Sequence, residues 1–97
     1  MKYHIDFTKA FEKQQKKLFN KNPQLRFKFR RTIQMLGNDP FHILLQTHKV
    51  ESAKHGQRWS SRVTGDLRII WDFVGKNQAR ILAISVGGNF GKRKVYN

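Results

Sequence analysis

The stretch Arg58-Trp59-Ser60-Ser61-Arg62-Val63-Thr64-Gly65-Asp66-Leu67-Arg68-Ile69-Ile70-Trp71 reads as two strands and the turn between them. Trp59, Ser61 and Val63 alternate with Arg58, Ser60 and Arg62, the period of a strand with one buried and one open face. Thr64-Gly65-Asp66 supplies tight-turn chemistry, and Leu67 to Phe73 is rich in β-branched and aromatic residues. Gly75-Lys76-Asn77 makes a second turn, and Arg80 to Val86 reads as a third strand. Short turns join all three, so they form an antiparallel meander.

Upstream, Lys2 to Phe7 alternates with Tyr3, Ile5 and Phe7 on one side, which predicts a short strand. Thr8 can cap a following helix, with Phe7, Ala10, Phe11 and Leu18 near helical spacing. Asn22-Pro23 restarts the chain as cap and first helical residue. Leu25, Phe29, Ile33 and Leu36 then mark one face, and Gly37 with Asn38-Asp39-Pro40 signals the end. Residues 41–56 carry no decisive pattern; His42-Ile43-Leu44-Leu45 is too short to classify, and an edge strand can begin at Val50. The order β-α-α-β-β-β predicts an α+β fold, one domain over residues 1–97, with an N-terminal strand and a helical hairpin packed on a small antiparallel sheet.

Charge separates this chain from ordinary small domains. Twenty Lys and Arg stand against six Asp and Glu, a formal +14 in 97 residues. The cations run through both expected helices and the sheet and end in Lys92, Arg93 and Lys94, so a folded basic surface is expected. Polyphosphate is the natural partner of such a surface, because each neutralised phosphate releases counterions. There is no Cys, which excludes disulfides and thiol catalysis and suits a cytoplasmic location. The chain has no apolar run of membrane-spanning length, and MKYHIDF lacks a signal-peptide core, so no membrane partner is expected.

Three groups of residues can carry chemistry. Arg58 and Arg62 share the open face of their strand, and the turn at Gly65 folds Arg68 back beside Arg62. Arginine suits phosphate because its planar fork donates paired hydrogen bonds and stays charged; the alternative is solvated edge charge. The tail Gly87-Gly88-Asn89-Phe90-Gly91-Lys92-Arg93-Lys94-Val95-Tyr96 combines glycine, cations and two aromatics that can stack on bases. Its plainer reading is a basic terminus pinned by Val95 and Tyr96. His48 and His55 lack metal-motif spacing but titrate in the range of a general base. With six carboxylates, no P-loop and no dinucleotide fingerprint, neither a metal ion nor another cofactor is expected.

The 58–71 stretch, the leading strand and helical hairpin, and the closing Val95-Tyr96 together resemble the RelE–ParE family of bacterial and archaeal toxins. The resemblance spans nearly the whole chain and is most specific in the hairpin and at the end. It implies a type II toxin–antitoxin toxin with a RelE-like fold. RelE-like members cleave mRNA in the ribosomal decoding site without metal, ParE-like members inhibit DNA gyrase, and both are neutralised by an acidic antitoxin in a hetero-oligomer. By this resemblance Arg68, Arg62 and Tyr96 are catalytic, and Arg58, Asn89, Phe90, Lys92, Arg93 and Lys94 bind RNA. Two departures stand out: Asn89 occupies a position where related members carry His or Arg, and Ser60 one where some carry Lys. Asn does not transfer protons at ordinary pH. The expected activity is a ribosome-dependent endoribonuclease using 2′-OH attack, with a gyrase inhibitor or a non-catalytic RNA-binding protein as alternatives. Arg68 is expected to be a solvated strand residue.

Overall fold

A computed structural model describes residues 2–52 and 56–88. Strand β1 (His4–Phe7) is followed by helices α1 (Lys9–Phe19) and α2 (Pro23–Asn38), a 3₁₀ turn (Ile43–Leu45), and strands β2 (His48–Ser52), β3 (Gly56–Arg62), β4 (Leu67–Val74) and β5 (Arg80–Gly88). The strands form one sheet in the order β1-β5-β4-β3-β2.

The helices begin where their caps direct. Thr8 accepts from the Phe11 amide at 3.0 Å, and Asn22 accepts from the Leu25 amide at 3.0 Å with Pro23 in the first turn. At the end of α1, Nη2 of Arg26 donates to the carbonyls of Phe19 and Asn20 at 3.1 and 3.0 Å, so one cation of α2 is used to close the first helix. Helix α2 runs one residue past Gly37, which is buried in its last turn and accepts from the Tyr3 amide at 2.8 Å. That bond ties the start of the chain to the end of the hairpin.

Phe11, Phe19 and Phe29 from the helices meet Leu67, Ile69 and Trp71 of β4 and Ile81, Ala83 and Val86 of β5 in one core. Phe19 joins Phe29 with ring centroids 4.7 Å apart. Ala10, expected on the buried face, is exposed, and Phe19 takes the place that its spacing offers. Burying side chains of this size contributes roughly 1.5–3 kcal/mol each.

Strands β2 to β5 form the antiparallel meander, and the edge strand that Val50 suggested is present as β2. It begins two residues earlier, at His48; its residues HKVES show no apolar alternation and pair with β3 at the sheet edge. The N-terminal strand, expected to pack on that antiparallel sheet, joins its other edge and makes the sheet mixed. There β1 pairs parallel with β5, His4 opposite Arg80 through Phe7 opposite Ala83. A parallel pair needs a long crossover, and here the two helices and the meander supply it. Arg80 clamps this edge, donating to both oxygens of Asp6 at 3.0 and 3.1 Å.

Candidate nucleic-acid interface on the open sheet face

The β3–β4 hairpin sets the geometry of the site. The Thr64 hydroxyl accepts from the amides of Asp66 and Leu67 at 3.2 and 3.1 Å, and the Val63 amide donates to the Leu67 carbonyl at 2.8 Å. This closed turn fixes the register: Arg62 is the Cα partner of Arg68, Ser61 of Ile69, Ser60 of Ile70 and Trp59 of Trp71. Odd-numbered residues of both strands face the helices. By the period of two, Arg58, Ser60 and Arg62 of β3 and Arg68, Ile70 and Asp72 of β4 lie on the other face.

Arg62 and Arg68 therefore stand side by side on that face. Like charges directly opposite on paired strands are destabilising. Among the described residues the ion pairs are His4–Asp6, Arg58–Asp72 and Arg80–Asp6, so neither arginine of the pair has a carboxylate. Arg68 is half-buried rather than solvated, which corrects the expectation from sequence, and its Nη1 is buried without a hydrogen-bond partner.

Two further buried polar atoms lack a partner among the described residues, Nε of Arg58 and Oγ of Ser60. Both lie on the same face, and Ser60 is 0% exposed. Buried polar atoms without partners are costly, and these three lie on one face of the hairpin. Ile70, 2% exposed, is the Cα partner of Ser60 and lies outside the core cluster. It gives the face a dry floor, where charge interactions strengthen. On the next strand the partner of Arg68 is Gly87, which places no side chain beside the guanidinium.

Arg58 is less free than its sequence position suggests. Its Nη1 donates to Oδ2 of Asp72 at 2.7 Å across the hairpin. Asp72 was not singled out in the sequence, although the hairpin register places it opposite Arg58. His48, the Cα partner of Ser60 on β2, is exposed on this same face. Its Nδ1 lies 3.0 Å from the Gln46 carbonyl, to which only an N–H can donate, so the neutral ring keeps Nε2 as an open proton acceptor. Tyr96, Asn89, Phe90, Lys92, Arg93, Lys94 and His55 lie outside the described residues. Among the described residues no three His, Cys, Asp or Glu are grouped to hold a metal ion, and no helix is long and apolar enough to cross a membrane.

No family model matches the chain, and no curated protein does. Solved structures do. A YoeB/ParE toxin from Agrobacterium tumefaciens superposes with a TM-score of 0.73 at 16% identity, over 90% of this chain and 99% of that one. RelE in the archaeal RelE–RelB complex from Pyrococcus horikoshii OT3 gives 0.70 at 19% identity, over 96% and 100%. The E. coli DinJ–YafQ complex gives 0.68 at 17%, over 89% and 92%. The chain thus has the α+β fold shared by the RelE–ParE superfamily toxins, along nearly its whole length.

Proposed function

We propose that this chain is the toxin of a type II toxin–antitoxin pair and that it cleaves mRNA on the ribosome. The observation that carries the reading is the Arg62–Arg68 pair, cross-strand partners on the sheet face away from the helices, neither with a carboxylate partner among the described residues. A phosphodiester supplies the missing acceptors. The 2′-oxygen of a ribose attacks the adjacent phosphorus, the bond from phosphorus to the 5′-oxygen breaks, and a 2′,3′-cyclic phosphate and a 5′-hydroxyl result. Negative charge grows on the phosphoryl oxygens in the transition state. A preorganised donor aimed at such charge is worth about 3 kcal/mol, the role assigned to Arg68 and Arg62.

Nε2 of His48 takes the 2′ proton, and Tyr96 stacks on the RNA or returns a proton to the leaving oxygen. Arg58, Asn89, Phe90, Lys92, Arg93 and Lys94 hold the strand. Positioning by the ribosome adds to this, since orientation alone can lower a barrier by roughly 7–11 kcal/mol. The partner is an acidic antitoxin; structures with this fold include the RelE–RelB and DinJ–YafQ complexes.

Incubation with programmed ribosomes tests the reading. Cleaved mRNA with cyclic phosphate ends supports it. Intact mRNA with inhibited gyrase supercoiling would move the chain to the gyrase-inhibitor class, and neither effect would leave an RNA-binding protein. Expression alone should arrest growth, and co-expression with an acidic product of the neighbouring gene should restore it.

A further inference from the structure

Strand β5 changes register partway along its pairing with β4. Val74 to Trp71 pair in step with Arg80 to Ala83, yet Ile70 pairs with Ser85, so Ile84 has no Cα partner on β4. One extra residue in one strand is a β-bulge, and it resets the phase of everything beyond it. Past the bulge Ile69 meets Val86 and Arg68 meets Gly87. Carried on without it, the pairing of Trp71 with Ala83 would set Ser85 opposite Ile69 and Val86 opposite Arg68. A valine would then stand beside the guanidinium in place of a glycine. Glycine weakens a strand and marks places that another group approaches closely. The bulge is held from the helix side of the sheet. The Thr8 amide donates to the Ala83 carbonyl at 3.1 Å, and the Thr8 hydroxyl to the Ile84 carbonyl at 2.8 Å. Further along α1, Oε1 of Gln14 accepts from the Val86 amide at 2.9 Å and from the Ser85 hydroxyl at 3.2 Å. A backbone N–H only donates, so it is the oxygen of the Gln14 amide that faces the strand.

We propose that Gln14 is a positioning residue for the Arg62–Arg68 site. Its grip on the bulge keeps Gly87 beside Arg68, and a phosphate of the RNA meets the guanidinium in the space that a larger side chain would fill. This rests on the reading that Arg68 faces phosphate. Gln14 touches no RNA itself; it lies on α1, on the other side of the sheet, and acts through the register of β5. The bulge also lets Val86, 3% exposed, join the core. If that were its whole purpose, Gln14 would be structural, and its loss would lower stability without changing how RNA is held.

The test measures binding of a single-stranded RNA oligonucleotide to the full chain across a salt series, at a temperature where every variant is folded. Gln14→Leu removes the acceptor at nearly constant size. It should weaken RNA about tenfold and lose about 0.7 from the slope of log affinity against log salt, the share of one phosphate contact. Gln14→Glu keeps an acceptor at the same reach and should restore both. Gly87→Val leaves the grip intact and fills the space. It should hold or raise the unfolding midpoint, since valine suits a strand better than glycine, yet weaken RNA as much as Gln14→Leu does. In Gln14→Leu the Val86 amide should also exchange faster with solvent, followed by NMR. A wild-type slope in Gln14→Leu or in Gly87→Val, beside a lowered slope in Arg68→Ala, would overturn the proposal and leave Arg68 on the phosphate. A wild-type slope in Arg68→Ala would sink the phosphate reading itself, and the proposal with it.

Discussion

The two faces of the β3–β4 hairpin are built from neighbouring residues and treat polar groups in opposite ways. On the helix side, Trp71 Nε1 donates to Ser61 Oγ at 2.8 Å, Ser61 shares a 2.7 Å hydrogen bond with Thr47, and Thr47 donates to the Pro40 carbonyl at 2.6 Å. Every member of that chain has a partner. One residue earlier, Ser60 is equally buried and its hydroxyl has none among the described residues, as is true of atoms in Arg58 and Arg68 on its face. One face uses burial and hydrogen bonds for stability. The other holds, among the described residues, buried polar atoms without partners and two arginines without carboxylates, at a cost in stability.

Substitutions on the two faces should separate along that line. The largest effect belongs to the core: Trp71→Ala should lose about 3–5 kcal/mol of unfolding free energy in a denaturant titration. Arg68→Ala should leave the unfolding midpoint unchanged or raise it, because it relieves like-charge repulsion with Arg62. It should slow mRNA cleavage by about two orders of magnitude or more. A loss of stability matching the loss of activity would make Arg68 structural.

The adjacent serines sharpen the contrast. Ser61→Ala orphans the Trp71 indole N–H and should cost about 1–3 kcal/mol. Ser60→Ala removes no hydrogen bond and should leave the unfolding free energy within about 0.5 kcal/mol while weakening RNA binding. Equal destabilisation by both would erase the distinction between the faces.

The smallest effect is at the β1 edge, where arginine and carboxylate are matched. The hydrogen bonds from Arg80 hold the Asp6 carboxyl below its ordinary value of 3.8. A depressed acid contributes stability above its unfolded pKa and loses it as pH falls through the folded value. Asp6→Asn should therefore flatten the acid limb of the stability profile below about pH 4, its small loss of stability being present at neutral pH and vanishing in acid. An unchanged limb would show the clamp to be energetically silent.

These contrasts explain what was legible in the sequence. The 58–71 hairpin and its two faces could be read because alternation and turn chemistry are local. Thr8, Asn22 and Pro23 announced the helices for the same reason. The direction of β1 could not be read, since it depends on a crossover that no short pattern encodes. Strand β2 was legible only as an edge strand near Val50, because HKVES becomes a strand through its pairing with β3. The Arg58–Asp72 pair was within reach, because the register that brings Arg62 to Arg68 also brings 58 to 72. The burial of Ser60 was not, since nothing in a serine's composition separates a buried hydroxyl from a solvated one.

The central claim is that Arg62 and Arg68 face phosphate. The most direct measurement is the salt dependence of binding to a single-stranded RNA oligonucleotide, for the wild-type chain and for Arg62→Ala/Arg68→Ala. Each phosphate contact on a single strand contributes about 0.7 to the slope of log affinity against log salt, so the double variant should lose about 1.4 from that slope. A slope identical to wild type would mean that neither guanidinium meets a phosphate, and the assigned face would be wrong.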